Sequence, residues 1–464
     1  MKTISKTILL LLFAVLVQRA SANISIPEIF SDNMVLQQKS EVAFWGWAKA
    51  GETVTIKPDW LDNPVSVKVG PSGRWKLSLN TPAAGGPFNI SLKGYNEIQL
   101  KNVMIGEVWL CSGQSNMEWT PRSGINNAEE EIKNANSPKI RLFTVFNASS
   151  ANPQEHFTGE WVECTPETMQ SFSAIGYFFG RKISDELNVP VGIINSSWGG
   201  TPAEAWMPEE LFDKDSFLNE AASKQKPVPW GPVEKAVLYN AMISPLVPFR
   251  IAGVLWYQGE ANTINACAYK ELLSSLIKGW RNLWGYEFPF YYAQIAPYQY
   301  GNPNEGVLVR DAQRRVLDVP NTGMIVLSDI GDTTNIHPKN KKDAALRFAS
   351  LALNRYYKTI QSEDSGPLFS GMTIEKNKAI ISFDHSEGLH TLKGDPDYFE
   401  IAGADGIFFP AKAKIKDQKV ILQSDKVKVP VKARFAWKNT ATPNLLNGAG
   451  LPASCFTTES CTHN

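Results

Sequence analysis

Between Val103 and about residue 358 the chain alternates short apolar runs with amphipathic ones, and this alternation limits what it can fold into. "VMIGEVWLCS" (103–112), "VPVGIINSS" (189–197), "IAGVLWYQ" (251–258), "FPFYYAQI" (288–295) and "TGMIVLSDI" (322–330) read as strands. "IAGVLWYQ" is apolar enough to be buried on both faces. Between them, "SAIGYFFGRKISDEL" (173–187) puts Ile175, Phe178, Phe179, Ile183 and Leu187 on one helical stripe. "YKELLSSLIKGWRNLW" (269–284) turns Leu272, Leu273, Leu276, Ile277, Trp280 and Leu283 or Trp284 inward, and "VLVRDAQRRVLDV" (307–319) is a further helix. Pro338 opens the last, "PKNKKDAALRFASLALNRYY", at the first helical position that proline favours. Strand and helix in regular succession build an α/β domain, a mostly parallel sheet covered by helices.

The flanks differ. Residues 23–102 carry short β-rich runs spaced by Gly, Pro, Asn and Asp, such as "EVAFWGWA" (41–48), "TVTIKP" (53–58) and "WKLSL" (75–79), and predict a small all-β sandwich. Residues 359–464 read as a second β-rich domain. Residues 1–22 combine Lys2 and Lys6 with the apolar "ILLLLFAVLV" (8–17) and a small-x-small end at Ala20-Ser21-Ala22. That pattern predicts a secretory signal cleaved near Ala22 and a secreted or periplasmic protein without a membrane anchor.

Formal net charge is zero, which argues against nucleic acid or an anionic membrane as partner. Nothing points to an obligate protein partner. Fourteen tryptophans suit a carbohydrate-handling protein, since sugars stack on aromatic rings, although most aromatics in any chain are core. The five cysteines form no C-x-x-C pair, and no H-E-x-x-H or Gly-rich nucleotide loop is present, so neither a metal nor a cofactor is expected. Cys455 and Cys461 are close in sequence and either pair as a disulfide or remain buried thiols.

Ligands of open parallel sheets bind beyond the carboxyl ends of the strands. Four such ends carry unusual residues: Gly113-Gln114-Ser115-Asn116, "SSWGGTPAEAW" (196–206), "GEAN" (259–262) and "GDTTNIHPKNK" (331–341). Taken singly, Ser115 is a turn serine, Gly199-Gly200 a turn, Asn262 a helix cap and His337 a packing residue. Together they put a hydroxyl, a glycine pair, side-chain amides and an imidazole on one rim, the parts that acyl transfer needs. His337 is the only one of the five histidines at that rim. A non-catalytic glycan-binding protein would share the secretion signal, the β-domains and the aromatics, but has no need of an activated serine.

"GEVWLCSGQSNMEW" (106–119), "SSWGGTPAEAW", "WYQGEAN" (256–262), "IHPKNK" (336–341) and "NLLNGAGLPASCF" (444–456) resemble the sialate O-acetylesterase family of the SGNH hydrolases. The resemblance spans nearly all of the chain beyond residue 22. It implies a flavodoxin-like three-layer α/β/α hydrolase domain over 103–358 and removal of O-acetyl groups from sialic acids or, in relatives, from other acetylated sugars such as xylan. It further implies Ser115 as nucleophile and His337 as general base and then acid. The Ser115 N–H, the Gly199-Gly200 turn and an amide, Gln258 before Asn262, would form the oxyanion hole. Glu260 is expected to tie loops together as a buried carboxylate. Many relatives place an aspartate two or three residues before the histidine, where this chain has Asn335 and Thr334. Either Asp332 or Asp329 reaches His337 as the third catalytic residue, or a Ser–His dyad operates.

Overall fold

The structure is a computed structural model, and residues 23–461 are described. The proposed signal segment and His463 lie outside them. The N-terminal part contributes β1 (Val35–Gln37), β2 (Glu41–Trp47), β3 (Thr53–Pro58), β4 (Val65–Lys68), β5 (Arg74–Asn80) and β6 (Gly85–Lys93). Alternation governs these strands. β2 and β5 pair antiparallel, with Val42 opposite Leu79 and Phe44 opposite Leu77, all four buried.

The strand after them, β7 (Glu97–Gly113), has 17 residues. Its first half pairs with β6 and β1, and its second half is the centre of a different sheet. The 102/103 boundary expected from sequence therefore falls inside a strand shared by both parts. Every residue from Val103 to Gly113 is buried.

The central sheet adds β8 (Ser137–Val145), β9 (Gly159–Cys164), β10 (Val191–Ser197), β11 (Gly253–Tyr257), β12 (Phe290–Ala293) and β13 (Thr322–Ile325). Its order is β9-β8-β10-β7-β11-β12-β13, parallel throughout except for the β8–β9 pair. β8 and β9 lie between the expected strand 103–112 and the expected helix 173–187, where the sequence pattern marks no strand.

Five helices matter for the site: α1 (Ser115–Glu118), α2 (Ala174–Leu187), α3 (Tyr269–Trp284), α4 (Glu305–Arg315) and α5 (Lys341–Leu351). α2 is capped by the Ser173 hydroxyl and ends on Asn188 in the left-handed region. It packs on α5, and α3 packs on α4. α5 starts three residues after Pro338, which is a correction to its expected start. The Asn340 side chain accepts from the Asp343 N–H and so fixes the first turn there.

Two four-stranded antiparallel sheets close the chain around a second apolar core that includes Ile381, Leu422, Ile401, Phe435 and Phe456. Cys461 is bonded not to Cys455 but to Cys267, 194 residues away, with Cα atoms 5.5 Å apart. Cys455 is a buried free thiol. The fold as a whole is mixed α/β, with a central mixed sheet and additional all-β sheets.

Candidate active site

β10, β7 and β11 are neighbours, so their carboxyl ends deliver three loops to one place. At the end of β7, Gly113 has φ +128°, and a Cβ there would lie 2.2 Å from the Tyr257 carbonyl oxygen of β11. Only glycine allows that approach. The Gln114 N–H donates to the same oxygen at 2.9 Å, and the chain turns at once into α1 with Ser115 as its first residue. A first-turn N–H has no acceptor within its own helix, so the Ser115 N–H is left for another partner.

His337 arrives from the loop after β13, three strands from β7, and reaches back over β12 and β11. Its Nε2 stands 2.9 Å from Ser115 Oγ. The indole of Trp119 stacks on the imidazole with ring centroids 4.2 Å apart. Burial, and then the positive charge of Lys341, push the imidazole pKa down to about 4. His337 is therefore neutral near pH 7 and able to take the serine proton at Nε2.

No carboxylate bonds Nδ1 among the described residues. Asp332 is exposed, and its Oδ1 accepts from the Thr334 N–H, the Thr334 hydroxyl and the Asn335 N–H, closing its own turn. Asp329 forms a two-pronged ion pair with Arg347. Asn335 acts on the backbone instead: its Oδ1 accepts from the His337 N–H at 2.9 Å. Both aspartates offered by the sequence are thus bonded elsewhere.

The amides part company. Gln258 is fully buried, and its two amide hydrogens go to the Thr201 carbonyl at 3.2 Å and Asn262 Oδ1 at 2.7 Å. Asn262, equally buried, donates to Glu204 and Asn265 and accepts from the Ala203 N–H. Both hold loops together and have no donor left for an oxygen on Ser115, a correction to the expected oxyanion hole. The amide at the site is Gln114, which sequence reasoning missed. Its Oε1 accepts from the N–H groups of Gly259 and Ala261, which fixes the flip, and the residue lines the cavity over Ser115. Its place directly before Ser115 was the available signal.

Gly199 fits against Ser115, and an added Cβ would lie 3.2 Å from that of the serine. Its N–H donates to Glu118 Oε2 at 2.7 Å. Gly200 has φ +73°, and a Cβ there would meet the Trp230 ring. Glu260 is a buried carboxylate accepting from Asn116, a loop tie in geometry.

A cavity of about 560 Å³ opens over Ser115 and His337, walled by Trp198, Trp230, Glu118 and Asn147. Among the described residues no cluster of three or more His, Cys, Asp or Glu side chains could hold a metal ion, and no helix is long and apolar enough to cross a membrane.

The family described as "Carbohydrate esterase, sialic acid-specific acetylesterase" matches residues 105–353, more than half of the chain. The sialate O-acetylesterase of Rattus norvegicus is 28% identical, over 85% of this chain and 85% of that protein. The sialate O-acetylesterase of Homo sapiens is 29% identical, over 80% of this chain and 78% of that protein. The crystal structure of a carbohydrate acetylesterase from Xanthomonas citri is 35% identical, with a TM-score of 0.86 over 95% of this chain and 100% of that one.

Proposed function

The chain belongs to the carbohydrate esterase family of sialic acid-specific acetylesterases, and from that premise we propose that it is a serine esterase hydrolysing O-acetyl esters of sugars, sialic acids first. The observation that carries this reading is the 2.9 Å contact between His337 Nε2 and Ser115 Oγ, with the imidazole held neutral.

In the first half-reaction Ser115 Oγ attacks the acetyl carbonyl carbon while His337 Nε2 takes its proton. Negative charge collects on the carbonyl oxygen, where the Ser115 N–H and Gln114 Nε2 donate to it. The Gly199 N–H beside them is taken by Glu118 Oε2 at 2.7 Å. The intermediate collapses as His337 returns the proton to the leaving sugar oxygen, giving the acetyl-enzyme and the free sugar hydroxyl. Water then attacks the acetyl carbon as His337 Nε2 takes its proton, and the carbon–Oγ bond breaks as His337 returns that proton to Ser115 Oγ, releasing acetate. Loss of p-nitrophenyl acetate hydrolysis in Ser115→Ala, by on the order of 10⁴-fold in kcat, is the expected result. Full activity in that variant removes Ser115 as nucleophile.

The helix pairs α2–α5 and α3–α4 around the central sheet support an SGNH-type three-layer arrangement. The Cys267–Cys461 disulfide supports an oxidising compartment, hence secretion or a periplasmic location after cleavage near Ala22. N-terminal sequencing of the protein recovered outside the cytoplasm tests this, and a chain starting at Met1 there rules it out.

One observation favours a neutral acetylated glycan, such as xylan, as a second reading. Among the described residues the wall directly over Ser115 carries the Glu118 carboxylate, its pKa raised chiefly by burial, and no Lys or Arg; a cation, Lys226, lines the adjoining cavity beyond Trp230. A sialic acid brings its own carboxylate to that wall. Acetate release from 9-O-acetylated sialic acid and from acetylated xylan, measured side by side, separates the two. Comparable or better turnover of xylan sinks the sialate preference.

A further inference from the structure

Behind Ser115 lies a polar cluster that the reaction above does not use. Asn116, the residue after Ser115, is 1% exposed. Its Nδ2 donates to Glu260 Oε1 at 2.7 Å and to the Ile336 carbonyl at 3.0 Å. Its Oδ1 accepts from the ammonium of Lys341, the first residue of α5. Lys341 is 2% exposed, and its Nζ lies 5.7 Å and 5.9 Å from the ring centroids of Tyr257 and Trp119. The second oxygen of Glu260 is buried with no hydrogen-bond partner. Lys341 and Glu260 thus share a buried site with one amide between them: burial pushes the Lys341 ammonium down to about 7 and the Glu260 carboxyl up, and each charge partly offsets that shift in the other.

The cluster fixes geometry. An ammonium can only donate, so Asn116 Oδ1 must face Lys341 and its NH₂ must face Glu260 and the Ile336 carbonyl. Asn116 thereby links the residue after Ser115 to the residue before His337. Trp119, whose ring stacks on the imidazole, also faces the Lys341 ammonium. Three loops, those after β7, β11 and β13, are joined at this point and at no carboxylate on Nδ1.

We propose that Lys341, Asn116 and Glu260 are positioning residues that hold Ser115 and His337 in register, the aligning role that a carboxylate on the histidine fills in a Ser-His-Asp triad. The proposal rests on the Ser115–His337 reading above. Lys341 has a second effect. Its charge opposes an imidazolium and adds to burial in keeping the base unprotonated at acid pH. The other ionisable groups around the pair are Glu118 from α1 and Glu260 from the loop after β11, and the Glu260 charge adds to burial in raising the phenol pKa of Tyr257, Tyr269 and Tyr300.

The test is the pH profile of p-nitrophenyl acetate hydrolysis by the full-length protein and four variants. Asn116→Ala is expected to lower kcat by roughly 10²-fold, with KM and the acid limb of kcat/KM unchanged. Lys341→Met is expected to move the acid limb to higher pH, a shift that a packing role alone does not produce. Lys341→Met leaves the Glu260 charge uncompensated and can fail to fold, so the double variant Lys341→Met/Glu260→Gln carries the same expectation with a neutral cluster. An Asn116→Ala kcat within about twofold of the parent, or an unmoved acid limb in the folded Lys341 variants, overturns the proposal. Ser115→Ala separates the two readings: if it keeps its activity, the serine mechanism falls, and if it alone is dead, only the positioning role falls.

Discussion

Gln114 and Gln258 sit at the carboxyl ends of adjacent strands, β7 and β11, and both are buried, yet their amides face opposite tasks. Gln258 gives both hydrogens to Thr201 and Asn262, and its Oε1 takes the Tyr269 hydroxyl at 2.7 Å. Gln114 gives its oxygen to two N–H groups of the loop after β11, and the proposed oxyanion hole uses its NH₂. A side-chain amide has a small, fixed set of bonds. Packing that consumes the whole set makes it a structural tie, and packing that consumes only the acceptor half leaves a preorganised donor. The same division separates Asn262 from Gln114 and Asp332 from a triad acid.

That comparison can be broken by substitution. Gln114→Ala should lower kcat by roughly 10²–10³-fold with a small change in thermal stability, and an unchanged kcat would remove Gln114 from the oxyanion hole. Gln258→Leu should do the reverse. It orphans buried partners at ~1–3 kcal/mol each, so the melting temperature should drop clearly while kcat per folded molecule stays near the parent value. A large kcat loss in a stably folded Gln258→Leu protein would return that amide to the chemistry.

The pH dependence sharpens the view of the base. With the His337 pKa at about 4, kcat/KM should fall on the acid side only as the pH nears that value, and an acid limb near ~6.5 would contradict the neutral, desolvated imidazole. Stability follows the same sign. The unfolded chain takes up a proton on this residue at ~6.5 that the folded chain refuses until about 4, so stability is lost as pH falls between the two. The smallest effect belongs to Asp332→Asn. Its carboxylate is exposed and its hydrogen bonds among the described residues stay within its own turn, so kcat should stay within about twofold and the melting temperature should barely move. A kcat loss of about 10²-fold or more would restore it as a catalytic partner of His337.

The sequence by itself determined the order of strands and helices in the centre, because apolar runs and helical stripes are local patterns: α2 and α3 span the stretches their periodicity marks. It also singled out Ser115 and His337, since few residues of the right chemistry stand at strand ends. Only the tertiary structure decided how far β7 continues, that β8 and β9 form the sheet edge, and that Cys461 bonds Cys267. It likewise decided that Asp329 is taken by Arg347 and that Gln114 rather than Gln258 keeps a free donor. Those outcomes depend on partners tens to hundreds of residues away. A residue's chemistry is written in its own side chain, but the bonds left over for function are what remains after the rest of the chain has packed around it.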